Sequence, residues 1–365
     1  MAGSPPNDWK DFVTHPPEDP FWKQFGYIEP SDSFNVPALH VNSWYDPAVG
    51  WTGVLFNQMR TNGGPAGRDH QYLLISPAAH CGSEYTASAK TVVGERDLGD
   101  TRFDWFGTYL KWFDHWLKGA DNGVTSMPKV QYYAMGRNRW QSADSFPMAA
   151  PTPFYLHSDG RANSRFGTGR LDLTRPKNEP PDRFVFDPGN PVPSRAGPIC
   201  CTFSNEPAGA VDQREIETRN DVLVYTSDPL TRETEVTGPI TAVLYVSSSA
   251  KDTDFTVKLL DVLPDGTAFN LQEGIKRARY RNGYQAPQLM VPDSVYRVEV
   301  DLQATSNVFF PGHRIRIEVS SSNFPRFDRN MNTGGVTWNE STWVTAINSI
   351  HHTAKHPSHI LLPIR

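Results

Sequence analysis

VPALHVNSWYDPAVGW (residues 36–51) and QYLLISPAAHCG (residues 71–82) are the two segments on which the fold turns. In the first, Val36 to Val41 is a short apolar run that predicts a buried strand, entering a turn at Asn42–Asp46. Trp51, Leu55 and Met59 then recur at helical spacing on one face, and Gly63, Gly64 and Gly67 break the helix. Tyr72 to Ile75 predicts a second short buried strand, halted by Ser76–Pro77. Further on, Phe103, Phe106, Leu110, Phe113 and Leu117 repeat at steps of three and four. Trp105, Tyr109, Trp112 and Trp116 widen that stripe, and Gly119 supplies the stop. A helix apolar around most of its circumference is expected to be buried against a sheet. Strand, helix, strand, helix is an α/β pattern.

The pattern changes after a Pro-rich junction, FPMAAPTP at 146–153. Val222–Tyr225, Ile240–Val246, Phe255–Leu260, Tyr296–Leu302 and Ile315–Val319 alternate with period two or are rich in β-branched residues. Turn signals such as Pro264–Asp265–Gly266 and Pro311–Gly312 separate them. Several short strands without helices predict a sandwich or jelly roll. The expected fold class is therefore α/β plus all-β, with residues 1–147 in the first region and 148–365 in the second.

Composition narrows the functional classes. A chain of 365 residues with 38% hydrophobic residues is long enough for two cores. The net charge of −5 offers no basic patch for nucleic acid or for an anionic membrane surface. No apolar run approaches the roughly 20 residues that span a bilayer. Met1 to Lys10 is polar and Pro-rich, unlike a signal peptide. Cys81, Cys200 and Cys201 do not make a disulfide framework, so a cytoplasmic location is expected. His351, His352, His356 and His359 crowd the C-terminal tail. His352 and His356 have the i,i+4 spacing of a metal pair, but Pro357 opposes a helix and no Cys or Glu nearby completes a ligand set. No metal is expected there; packing at a domain interface is. Asp252, Asp254 and Asp261 lack calcium-loop spacing and are read as a solvated turn.

Two residues carry candidate chemistry. Asp46 follows the first strand at the start of a helix, and His80 lies in the loop after the second. Carboxyl ends of parallel strands are where α/β folds place their sites. A carboxylate beside an imidazole fixes the ring's tautomer and stabilises the imidazolium once formed. By themselves the two residues read more readily as an Asp capping its helix and a loop His bonded to backbone.

The surrounding segments resolve this by resemblance. VPALHVNSWYDPAVGW resembles the acid-bearing strand of the cocaine esterase-like hydrolases, which share a family with the X-Pro dipeptidyl-peptidases. QYLLISPAAHCG, GERDLGD and RFDWFGTYLKWFDHWLKG look like that family's His-bearing loop and terminal helix, and PKVQYYAMGRNRW like the strand leading out of its hydrolase domain. YLHSDGRA, FDPGNPVPS, DVLVYTSDPLTRETEVTGPI, DFTVKLLDVLPDG and QATSNVFFPGHRIRIEVSSSNFPRFDRNMNTGG resemble its C-terminal jelly-roll domain in order and spacing. The resemblance implies a C-terminal part of an α/β-hydrolase domain followed by a jelly-roll β-sandwich. It implies Asp46 as triad acid and His80 as general base, with Trp44 and Tyr45 near the acyl pocket, although strand-end aromatics also pack cores. It implies no metal or organic cofactor, and as substrate a small ester or amide or a short peptide. The loop Ser320–Asn330 belongs, by the same resemblance, where the jelly roll meets the hydrolase domain.

The third triad member is missing. Its elbow motif is G-x-S-x-G, because glycines permit the strained strand-to-helix turn. No serine here has glycine at both i−2 and i+2. Ser43 and Ser83, nearest in sequence to the pair, lack the elbow. The 45 residues before Asp46 are too few for the several strands that precede the acid in this fold, at about 30 residues or more per βαβ unit. The stretch GSPPNDWKDFVTHPPEDPFW (3–22) resembles the segment between the family's lid and its acid strand. The expectation is a chain inactive by itself. It would present an unpaired sheet edge and an apolar helix face to a second copy or to a complementing N-terminal fragment. A binding module built on the jelly roll is the alternative from another class, and it gives no reason for the Asp46–His80 pair.

Overall fold

A computed structural model describes residues 8–200 and 208–365. In chain order the first strands are β1 (Ala38–Tyr45), β2 (Gln71–Ala79), β3 (Thr91–Val93), β4 (Arg96–Gly99), β5 (Val130–Ala134) and β6 (Arg139–Ala143). Helix α1 (Trp9–Thr14) lies in an N-terminal arm. Helices α2 (Val49–Asn62) and α3 (Pro65–Arg68) join β1 to β2, α4 (Ser83–Thr86) follows β2, and α5 (Trp105–Lys118) precedes β5. One sheet has the order β1-β2-β5-β6, with β1, β2 and β5 parallel and β6 antiparallel. The β1–β2 ladder runs from Ala38 opposite Gln71 to Ser43 opposite Ser76, then shifts register so that Tyr45 faces Ala79. Both strands therefore run past the breaks expected at Asn42 and at Ser76–Pro77. Pro77 has no N–H to donate and is tolerated because it falls at this irregularity.

The remaining strands are β7 (Pro151–His157), β8 (Arg170–Asp172), β9 (Asp182–Phe186), β10 (Leu223–Thr226), β11 (Thr234–Ser248), β12 (Asp254–Val262), β13 (Ala268–Arg277), β14 (Tyr296–Phe309), β15 (Arg314–Ser320), β16 (Ala346–His351) and β17 (His359–Pro363). They form one sheet in the order β13-β12-β15-β10-β8-β7-β17-β11-β16-β9, with β14 on β11. Phe255, Val257 and Leu259 alternate into its core, Val257 opposite Val319 and Leu259 opposite Ile317 of β15, as a period-two pattern requires. A second core joins the two sheets. It holds Trp44, Tyr45, Phe56 and Tyr133 from the first region with Ala304 and Val308 of β14.

Several expectations are corrected. Helix α2 buries Val49, Gly53, Phe56 and Met59, while Trp51 is exposed. The reason is Gly53, which lies against the Phe146 ring where a β-carbon would come within 2.7 Å of Cε1. Helix α5 is covered on one side only. Trp105 and Trp112 are buried, Trp112 edge-on to Tyr72, whereas Phe106, Leu110, Phe113 and Leu117 are 67%, 61%, 55% and 76% exposed. The helix is therefore not buried around its circumference: its Trp face meets the sheet and its Phe/Leu stripe faces outward. The triple Asp252, Asp254 and Asp261 is no solvated turn, for all three are buried. Asp252 pairs with Arg279 at 2.7 Å, Asp254 with Arg277 at 2.9 Å, and Asp261 with His313 at 2.7 Å and Arg96 at 3.2 Å. The histidine tail packs within the larger sheet instead of at an interface. His352 bonds Asp182, His351 bonds Ser247, and His359 lies against the Tyr155 ring. Among the described residues no cluster of His, Cys, Asp and Glu could hold a metal. Cys200 is disulfide-bonded, which the cysteine spacing did not suggest, and Cys201 lies outside the described residues.

The outer stripe of α5 gives a first expected result. Leu110→Lys with Phe113→Lys should change stability by no more than about 0.5 kcal/mol, as for exposed positions generally. It should raise solubility and reduce any concentration-dependent association seen by sedimentation. A cooperative loss of structure in this double variant would show that the stripe is covered.

Candidate active site

Strands β1 and β2 are adjacent and parallel, so their carboxyl ends lie side by side, and Asp46 and His80 are the residues that follow them. Asp46 Oδ2 accepts a hydrogen bond from His80 Nδ1. Its other oxygen, Oδ1, accepts from the backbone N–H of Ala48 at 2.7 Å, in the turn that opens α2. Asp46 therefore does not cap α2, whose N-cap is Ala48 without a side-chain cap bond; its carboxylate braces the turn before the helix and holds the imidazole. The carboxylate side chain is 9% exposed and the imidazole 34% exposed. Cys81, free and exposed, has φ 54, a left-handed conformation that turns the chain sharply just after the histidine.

The chemistry follows from the partners. A carboxylate oxygen can only accept, so His80 Nδ1 carries the proton. In the neutral ring Nε2 is then a lone-pair acceptor, the form that takes a proton from an attacking hydroxyl. When Nε2 is protonated, Asp46 stabilises the resulting imidazolium. Among the described residues no serine is bonded to His80. Ser43 Oγ donates to Ala79 O at 3.0 Å, and Ser83 Oγ is paired with Ser76 Oγ at 2.7 Å. The run Gly119-Ala-Asp121-Asn-Gly123 has elbow-like glycine spacing but forms the end of α5 and the loop beyond it, away from any strand.

Trp44 and Tyr45, expected beside a substrate pocket, are fully buried. Trp44 Nε1 donates to Tyr133 O at 2.8 Å and the Tyr45 hydroxyl donates to Asn270 O at 3.3 Å. Burial pushes the Tyr45 phenol up to about 12, so it remains a neutral donor. Here these rings seal the joint between the two sheets. The loop Ser320–Asn330 meets the N-terminal arm. Phe324, Asp328 and Arg329 share a cavity of about 650 Å³ with Trp9, Glu18 and Tyr280, and neither Asp46 nor His80 lines it. Sequence reasoning missed Gln272 and Gln303, which contact the acid-bearing turn from strands more than two hundred residues away. Only tertiary pairing brings them there, and no local pattern announces it.

A parallel-strand site with a carboxylate-held histidine is the arrangement of α/β-type hydrolases. Comparison with known proteins agrees. Residues 122–361 match the X-Pro dipeptidyl-peptidase C-terminal non-catalytic domain, and residues 2–82 match the X-Pro dipeptidyl-peptidase S15 family. The cocaine esterase of Rhodococcus sp. is 40% identical over 96% of this chain and 60% of its own length. An aminopeptidase from a marine sediment Thaumarchaeota archaeon superposes with TM-score 0.84 at 28% identity, over 98% of this chain and 60% of that one. An α-amino acid ester hydrolase gives TM-score 0.81 at 25% identity with the same coverage. The chain belongs to the cocaine esterase-like and X-Pro dipeptidyl-peptidase family of serine hydrolases. It spans about 60% of the length of these relatives.

Proposed function

We propose that this chain supplies the acid, Asp46, and the general base, His80, of a serine-type acyl hydrolase whose nucleophile is not among these 365 residues. The substrate class is an ester, or an amide or short peptide, cleaved through an acyl-enzyme that water resolves. The observation that carries this reading is the Asp46–His80 Nδ1 bond at the carboxyl ends of neighbouring parallel strands. The names of the relatives, esterases and peptidases, point to the same bond classes. In this reading residues 1–147 are the C-terminal portion of an α/β-hydrolase domain and 148–365 a jelly-roll β-sandwich. Of the strands up to Ala143, β1, β2, β5 and β6 form the smaller sheet and β3 pairs with β4, while every strand from Pro151 joins the larger sheet, which supports that division.

The location of β1 at the edge of its sheet supports a complementing polypeptide, since among the described residues β1 pairs on one side only, with β2. The test has two arms. The chain alone, treated with a fluorophosphonate that acylates activated serines, should take up no stoichiometric label and should not hydrolyse an aryl ester above the solvent rate. Mixed or co-expressed with the nucleophile-bearing part of the Rhodococcus esterase, it should label on the partner's serine and turn over. Stoichiometric labelling of a serine in this chain alone would overturn the proposal.

A further inference from the structure

The turn that carries Asp46 is gripped on both sides by glutamines of the larger sheet. Gln272 of β13 is fully buried, and its Nε2 donates to Trp44 O at 2.5 Å and to Ala304 O at 2.8 Å. Gln303 of β14 accepts at Oε1 from the backbone N–H of Gly50 at 3.0 Å. Trp44 precedes Asp46 by two residues and Gly50 follows it by four, so the grips bracket the acid. Three features mark the second contact as built. Gln303 has φ 62, a left-handed conformation that is unfavourable for a non-glycine residue. It sits where β14 shifts register against β11, between Ala304 opposite Pro239 and Asp301 opposite Thr241. Gly50 approaches so closely that a β-carbon there would lie 2.7 Å from Gln303 Oε1.

We infer that Gln303 and Gln272 are positioning residues for the acid. The larger sheet, matched by a domain described as non-catalytic, sets where the Asp46 carboxylate stands relative to His80. The inference rests on the proposed acid–base reading of that pair and deepens it. Neither glutamine contacts His80; each acts on the backbone of the turn. The N–H of Ala48, which fixes Asp46 Oδ1, lies inside the gripped span. Freeing Gly50 lets the turn and its Ala48 N–H drift, and the carboxylate drifts with them.

The test is the hydrogen-bonded Nδ1–H resonance of His80, read by proton NMR on the full chain with ¹⁵N-histidine. Gln303→Asn is the informative variant, because asparagine tolerates the left-handed conformation but is one methylene too short to reach Gly50. Gly50→Ala attacks the same contact from the other side and stands in if the first fails to fold. The expected result is loss of the His80 resonance in the variants, with the cooperative unfolding transition retained. An unchanged resonance in a folded variant overturns the inference while leaving the Asp46–His80 pair intact. Absence of the resonance from the unaltered chain instead sinks the parent reading, so the two failures are distinguishable.

Discussion

Asp46→Asn should lower kcat of the complemented enzyme about 10⁴-fold, the size of effect seen when a triad carboxylate becomes an amide. The argument is one of tautomers. The carboxylate accepts from His80 Nδ1, which leaves Nε2 free to take a proton. An asparagine keeps its Oδ1 on the Ala48 N–H, since asparagine makes this side-chain turn as aspartate does, so the turn before α2 should form as before. Its amide NH₂ then faces Nδ1 and forces the proton onto Nε2, and the base is switched off. KM and the thermal midpoint should scarcely move, because shape and the turn bond to Ala48 are kept. Asp46→Ala loses the bond from the Ala48 N–H as well and should cost about 1 kcal/mol of stability in addition. Steady-state kinetics on an aryl ester, with circular dichroism on the same samples, checks both. An Asp46→Asn enzyme retaining more than a tenth of the activity would remove Asp46 from the mechanism.

Much of this site was legible in the sequence because it depends on local order. An apolar run, then Asp46, and a second apolar run, then His80, place both residues at strand ends before any contact is known. The strands of the second half were legible for a similar reason: Phe255, Val257 and Leu259 alternate, and alternation specifies one buried face. Helix α5 was not, because it is apolar on two faces. Periodicity gives a helix its stripes without saying which stripe meets the sheet, and Trp112 against Tyr72 decides it. The buried acids were misread because polarity was taken for exposure. Asp254 and Arg277 are cross-strand partners, nearly equidistant from the turn at Pro264–Gly266, so counting back from that turn would have found the pair. Gln303 and Gln272 had no such signal. Their meaning exists only once β13 and β14 lie beside β1.

The second large effect is on stability, at Asp182. This carboxylate is fully buried at the start of β9 and receives four donors. They are His352 Nε2 at 2.8 Å, the Tyr225 hydroxyl at 2.7 Å, Ser158 Oγ at 2.6 Å and the Ala162 N–H at 2.8 Å. The group ties β9 to β10, to the end of β16 and to the loop after β7. Asp182→Ala strands all four buried donors away from water, so the expected cost is about 3–5 kcal/mol. Against a typical total of about 5–15 kcal/mol, that is enough to shift a urea midpoint plainly or to unfold the chain at room temperature. The pH dependence has a definite sign. Burial pushes the Asp182 carboxyl up, but hydrogen bonds from His352, Ser158, Tyr225 and Ala162 outweigh it and hold the group below its ordinary value. Its contribution is therefore present above the unfolded pKa of about 3.9 and is lost as pH falls through the lower folded value. His351 acts at milder pH. Burial, then the neighbouring His356 and His352 charges, lower it to about 4. As pH falls from about 6.5 toward 4 the unfolded chain binds that proton and the folded chain does not, so stability declines across this window. Urea unfolding at pH 7, 5.5 and 4.5 should show that decline, and His351→Gln should flatten it. Asp182→Ala costing less than 1 kcal/mol would mean that the four donors find other acceptors, and the buried carboxylate would lose its place as the tie between these strands.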